Sequence, residues 1–190
     1  MAVDYKFYDI KFVKQNQKKL IEDAMKAHDR FHFAYGQFLK QINSTSFFRY
    51  YSFVSLSAGS SAYYLLFKEI QKNIRKFYKK KGPLWFQCWL NLHKQDEVLE
   101  WHNHQDCAFH GYISIDPKNT ETEFKNFTVK NEVGKMYLGP AYEYHKVNVL
   151  SPFEGQRITI AFDVVNADSF KAMEIKYGPQ DINTGYIPIW

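Results

Sequence analysis

Cysteine is almost missing from this chain. Cys88 and Cys107 are the only two among 190 residues, and they do not form a C-x-x-C pair. Two thiols make no disulfide framework, and without the paired spacing there is no cysteine-based zinc site. Long apolar runs are missing too. No stretch approaches the length of a membrane span, and the first residues, Met1 to Lys6, hold no apolar signal core. The expectation is a protein of a reducing, cytoplasmic compartment with no membrane partner. Repeats, low-complexity tracts and linkers are also lacking. The simplest organisation is therefore one domain, 1–190, long enough to bury a full core.

Aromatic residues, by contrast, are abundant. With 17 phenylalanines, 14 tyrosines and 4 tryptophans the aromatic share is 18%, beside ordinary hydrophobic (45%) and charged (24%) contents. Rings suit a pleated surface, so this bias favours a β-rich interior or an aromatic-lined cleft. The formal net charge of +5 permits a nucleic-acid or other acidic partner. However, many lysines fall within 14–26 and 68–81, where a solvated helix face is the simpler explanation. Nucleic acid is thus an unlikely partner on this ground.

Along the chain, 5–13 alternates loosely and reads as a strand. From Asn16, a candidate N-cap, to Arg30, apolar residues recur at helical spacing. Between 32 and 57 the pattern breaks down, and Phe33, Tyr35, Phe38, Phe47, Phe48, Tyr50, Tyr51 and Phe53 either line a cleft or pack together. Gly59-Ser60-Ser61 opens the clearest helix, with Tyr63, Leu66, Phe67, Ile70, Ile74 and Phe77 on one face. Lys79-Lys80-Lys81 closes it as cations at a helix C-terminus, and Gly82-Pro83 stops it. After Pro83 the texture turns to β. Strands are expected over 84–93, 98–101, 107–115, 124–129, 135–138, 145–150 and 157–165, separated by turn signals such as Asp116-Pro117-Lys118-Asn119 and Gly139-Pro140. Many short strands with regular turns suggest a sandwich or barrel. A short helix is expected at 169–173.

The chemistry gathers around His102-Asn103-His104-Gln105-Asp106. His104 and Asp106 are two apart, so on an extended chain they point the same way and can chelate one ion. His145 starts a later strand, as suits a ligand delivered from another part of a barrel. Two imidazoles and a carboxylate on one face of a metal leave the other positions open, as a non-haem Fe(II) oxygenase requires. Arg157 and Thr159 share a strand face by the same period, and a guanidinium fork with a hydroxyl suits a carboxylate. Asn91, Trp101, His102 and Tyr112 are candidate pocket or substrate residues.

From 89 to 164 the chain resembles the Fe(II)/2-oxoglutarate-dependent dioxygenases, nearest to the prolyl-hydroxylase-like branch with phage and bacterial members. The resemblance is carried by Trp89-Leu90-Asn91, by His102-x-His104-x-Asp106 and by Gly111-Tyr112-Ile113-Ser114. In the second half, Gly134, Pro140 and His145 fall at a Gly-x5-Pro-x4-His spacing, and Arg157-Ile158-Thr159 looks like the family's final Arg-x-Ser/Thr strand. It implies a mainly β fold with flanking N-terminal helices, a double-stranded β-helix (jelly roll, cupin-like) core. On that division 1–83 is a helical support region, 84–166 the core and 167–190 a C-terminal tail.

The implied cofactors are Fe(II), bound by His104, Asp106 and His145, and 2-oxoglutarate, held by Arg157 with Thr159 assisting. Ascorbate would serve as reductant in vitro. The implied reaction consumes O2 and hydroxylates an unactivated C–H bond of a prolyl or other peptide residue, or of a small molecule. Relatives often carry His-x-His at this point, so His102 is an alternative ligand. Two other classes stay open: a cupin-type metal enzyme of another reaction, and a metal-free β-barrel binding module.

Overall fold

The computed structural model describes residues 5–35, 51–97, 99–177 and 185–189. Most of the aromatic stretch considered above, including Phe38, Phe47, Phe48 and Tyr50, lies outside the described residues. The strands are β1 (Lys6–Asp9), β2 (Leu84–His93), β3 (Leu99–His102), β4 (Phe109–Asp116), β5 (Thr120–Phe124), β6 (Thr128–Lys130), β7 (Lys135–Pro140), β8 (His145–Val149), β9 (Arg157–Asn166) and β10 (Ile187–Ile189). The helices are α1 (Lys11–Tyr35), α2 (Phe53–Leu56), α3 (Ser61–Phe77) and α4 (Ala167–Tyr177).

The strands form two antiparallel sheets, ordered β1-β7-β4-β9-β2-β10 and β3-β8-β5-β6. From β2 to β9 the chain crosses repeatedly between them, which makes the core a double-stranded β-helix of the jelly-roll, cupin-like kind. Period-two alternation sorts the residues of the larger sheet. On β2, Phe86, Cys88 and Leu90 point to one side and Gln87, Trp89 and Asn91 to the other. On β9 the corresponding sets are Ile158, Ile160 and Phe162, then Arg157, Thr159, Ala161 and Asp163. The first set packs under the helices: Phe86 touches Phe67 of α3 and Phe162 of β9, while Phe77 and Tyr78 cover Phe109. The second set faces the smaller sheet, and there the polar residues collect.

Helix α3 forms as its pattern predicts. Ser60 Oγ accepts the Tyr63 N–H as an N-cap. Tyr63, Leu66, Phe67, Ile70 and Ile74 are buried, each contributing roughly 1.5–3 kcal/mol. Its end differs from expectation. The helix stops at Phe77, so Arg75 and Lys76 are the cations of its last turn and the three lysines follow it. Arg75 also ties this end to the carbonyls of Gly82 and Ile189.

Several further boundaries need correction. The first strand is only Lys6–Asp9, and α1 begins at Lys11, with Asn16 at a kink (φ −123°, ψ 17°) rather than at the start. Phe12 and Val13 fit either period, and a backbone bond from Ile10 N–H to the Gly134 carbonyl turns the chain at that point. The strand expected over 124–129 is a hairpin, β5 and β6, closed by a bond from Phe124 N–H to the Phe127 carbonyl. Finally, β7 runs through Gly139-Pro140 instead of stopping there. The C-terminal helix is longer than expected, Ala167–Tyr177. None of the described helices is long and apolar enough to cross a membrane.

Candidate metal centre

The register of β3 against β8 places His102 directly opposite His145. Just past the end of β3, His104 is held by its own backbone, whose N–H donates to the Ala141 carbonyl at 2.8 Å and whose carbonyl accepts from Cys107. One ring nitrogen from each of His102, His104 and His145 lies within 4.8 Å of the others.

The second nitrogen of each ring is engaged elsewhere. His102 Nδ1 is 2.8 Å from the Glu100 carbonyl, and His145 Nδ1 is 3.2 Å from that of Glu143. His104 Nδ1 is 2.7 Å from Asp163 Oδ1. An acceptor at Nδ1 fixes the tautomer and frees Nε2, which is how ligating histidines are held in metal sites. The His104 contact is short but not linear: its N–H does not point along the line to the oxygen.

Burial keeps the His145 and His110 rings neutral. His145 is held down to about 3 by burial, then by the neighbouring His102 and His104. His110 stacks on His104 and His145 with ring centroids 4.3 and 4.9 Å away. It is also held well below the ordinary value, first by burial and then by those neighbours. A neutral imidazole is the form that ligates a metal, so no proton has to be displaced from His145 at neutral pH.

Asp106 is not brought to this cluster. Its carboxylate pairs with Lys176 of α4 at 2.8 Å, with side chains 40% and 53% exposed. The residue two before His104, rather than the one two after it, completes the group.

The cluster opens into a cavity of about 100 Å³ between the sheets. Arg157 and Thr159 line it beside Asn91, Tyr112 and the three histidines, while Leu99, Val147 and Ala161 supply apolar wall. Trp101, by contrast, does not line it. Its ring is 40% exposed on the outer side of β3 and carries Lys146 Nζ at 5.1 Å from its centroid.

Arg157 is almost fully buried. It donates to Thr159 Oγ1 at 3.1 Å and lies 3.0 Å from His93 Nδ1, its partner across β2 and β9. Burial lowers its pKa to about 10, so it stays charged at neutral pH. His93 is lowered to about 4, by burial and then by Arg157, so its ring nitrogen accepts. Among the described residues no carboxylate pairs with Arg157, and no Asp or Glu lines the cavity. His93 and Asp163 went unnoticed in the sequence, although strand alternation puts Asp163 on one face with Arg157 and Thr159.

No protein-family model matches the chain, and no curated protein matches it in sequence. Solved structures do match. The chain is similar to an oxidoreductase of the 2OG-Fe(II) oxygenase family from Burkholderia pseudomallei, at 11% identity and TM-score 0.43, over 56% of this chain and 53% of that one. It is similar to SnoN, a non-haem α-ketoglutarate-dependent epimerase of nogalamycin biosynthesis, at 14% identity and TM-score 0.45, over 57% and 58%. A prolyl-4-hydroxylase from Pseudomonas putida matches at 10% identity and TM-score 0.44, over 57% and 68%. The match spans about half of the length of the Burkholderia protein.

Proposed function

We propose that this chain is a non-haem Fe(II) dioxygenase that uses 2-oxoglutarate and O2 to hydroxylate an unactivated C–H bond of a peptide side chain, prolyl or other, or of a small organic molecule. One observation carries the reading: three converging imidazoles share a cavity with a buried guanidinium that, among the described residues, has no carboxylate partner.

The donor set fits the metal. Imidazole suits iron, and three nitrogens on one face leave positions for cosubstrate and oxygen. His102, His104 and His145 would hold the iron, His102 standing where Asp106 was expected. Three imidazole ligands bring no negative charge of their own to a +2 ion, and Arg157 adds another positive charge to the cavity. A cavity so charged and free of acidic lining favours a dianion with two separated carboxylates. The keto-acid end of 2-oxoglutarate would face the histidines, and its far carboxylate the Arg157 fork and Thr159 hydroxyl. Bound iron would bind and activate O2, with two electrons drawn from 2-oxoglutarate on its decarboxylation and two from the C–H bond. One oxygen atom ends in succinate, formed with CO2, and the other in the hydroxylated product. The protein's own part is to orient the acid through Arg157, held by Thr159 and His93, and to exclude water with Leu99, Val147 and Ala161.

The test is succinate formation from 2-oxoglutarate in air with Fe(II) and ascorbate. Succinate that requires iron and disappears in His145→Ala and Arg157→Ala is expected. Undiminished succinate in Arg157→Ala would remove the carboxylate anchor from the proposal. An all-imidazole face also suits a second reading, a cupin-type metal enzyme whose anionic substrate chelates the ion directly. Oxygen uptake with an organic acid and no requirement for 2-oxoglutarate would favour it.

A further inference from the structure

Asp163 is buried at 6% exposure on the cavity-facing side of β9, between Gln87 of β2 and His110 of β4 in the strand register. Its Oδ1 lies 2.7 Å from His104 Nδ1 and accepts from the Cys107 thiol at 3.7 Å. Among the described residues no lysine or arginine pairs with it. A buried carboxylate is costly unless charge of the opposite sign lies close. The Cys107 thiol does not supply it. A dication on the far nitrogen of His104 would.

We propose that Asp163 is the positioning carboxylate of the metal centre, acting through His104. It fixes the ring so that Nε2 faces His102 and His145, and it brings the negative charge that Asp106 would have supplied as a direct ligand. This rests on the metal reading above. Asp163 does not touch the metal; its effect passes through the imidazole, whose basicity rises when its N–H is bonded to a carboxylate.

The experiment is anaerobic titration of the full chain with Co(II), read by visible absorption and by the paramagnetically shifted, exchangeable ring N–H proton signals. Wild type, Asp163→Leu and Asp163→Asn are compared, with circular dichroism as the fold control. Losing such a partner typically weakens metal binding about 10- to 100-fold. That loss is expected in Asp163→Leu, with a smaller one in Asp163→Asn, whose amide oxygen still accepts. The His104 N–H signal should be the slowest of the three to exchange in wild type, and absent in Asp163→Leu.

Wild-type Co(II) binding with unchanged affinity and signals in the variants overturns the role of Asp163 alone. Failure of wild type to bind Co(II) overturns the metal reading together with it. Should Asp163→Leu not fold, Asp163→Asn carries the affinity comparison. The wild-type exchange order needs no variant, and a His104 signal exchanging as fast as that of half-buried His102 counts against the proposal.

Discussion

Replacing Asp106 and replacing His102 should have opposite consequences. Asp106 lies two residues after His104 but is spent on Lys176, at 2.8 Å with both side chains about half in solvent. An ion pair this exposed contributes about 0–1 kcal/mol. Asp106→Ala should therefore lower the melting temperature by no more than about 4 °C for a chain of this size, and metal affinity should be unchanged. His102→Ala removes one of three converging nitrogens. Loss of a mere outer partner of a metal ligand costs about 10- to 100-fold. Loss of the ligand itself should cost at least about 100-fold, or about 2.8 kcal/mol at about 1.4 kcal/mol per factor of ten. Anaerobic Fe(II) titration and thermal melts on the same preparations give both numbers. Metal binding abolished by Asp106→Ala and retained by His102→Ala would refute the three-histidine assignment and restore the His-x-Asp one.

Other outcomes follow from the same contacts. His93 titrates near 4 in the fold against an ordinary 6.5, so between those values the unfolded chain binds more protons. Stability is then full above about pH 6.5 and falls by about 3 kcal/mol as pH drops through 4. Urea midpoints of the metal-free protein should show this, and His93→Gln should flatten the slope; an equally steep slope would absolve His93. A methyl group at Gly111 would strike the Tyr137 carbonyl oxygen and come within 2.7 Å of Leu138 Cδ2 and Phe162 Cε2. Gly111→Ala should cost about 1–3 kcal/mol by overpacking, read from denaturant unfolding. Changing Lys79, Lys80 and Lys81 to Gln should alter stability by tenths of a kcal/mol at most, since they lie beyond the end of α3; loss of metal binding in that triple variant would be unexpected.

Much of the barrel was legible because its strands are short, alternating and bounded by turn residues. The 84–93 strand coincides with β2, and 145–150 and 157–165 fall within a residue of β8 and β9. The 125–127 turn escaped notice because Phe124-Lys125-Asn126-Phe127 has no glycine or proline and keeps the texture of a strand. At the site, His-x-Asp and His-x-His satisfy the period of two equally well. What separates them is a long-range fact, the pairing of β3 with β8 that sets His102 against His145. The triplet after His102 therefore could not choose its own register. Asp163 was within reach: Arg157, Thr159, Ala161 and Asp163 alternate along one strand, and a charged residue on a cavity face invites a partner. His93 was not, since its contact with Arg157 depends on the neighbouring strand.

On the proposed function, one cavity joins a metal face to a carboxylate anchor. The most direct test of this is anaerobic titration of the Fe(II)-loaded protein with 2-oxoglutarate, followed by the visible charge-transfer band of a chelated keto acid. A saturable band is expected in wild type, needing far more 2-oxoglutarate in Arg157→Ala and absent in His145→Ala. Fe(II) bound with no band at any concentration of 2-oxoglutarate would contradict it.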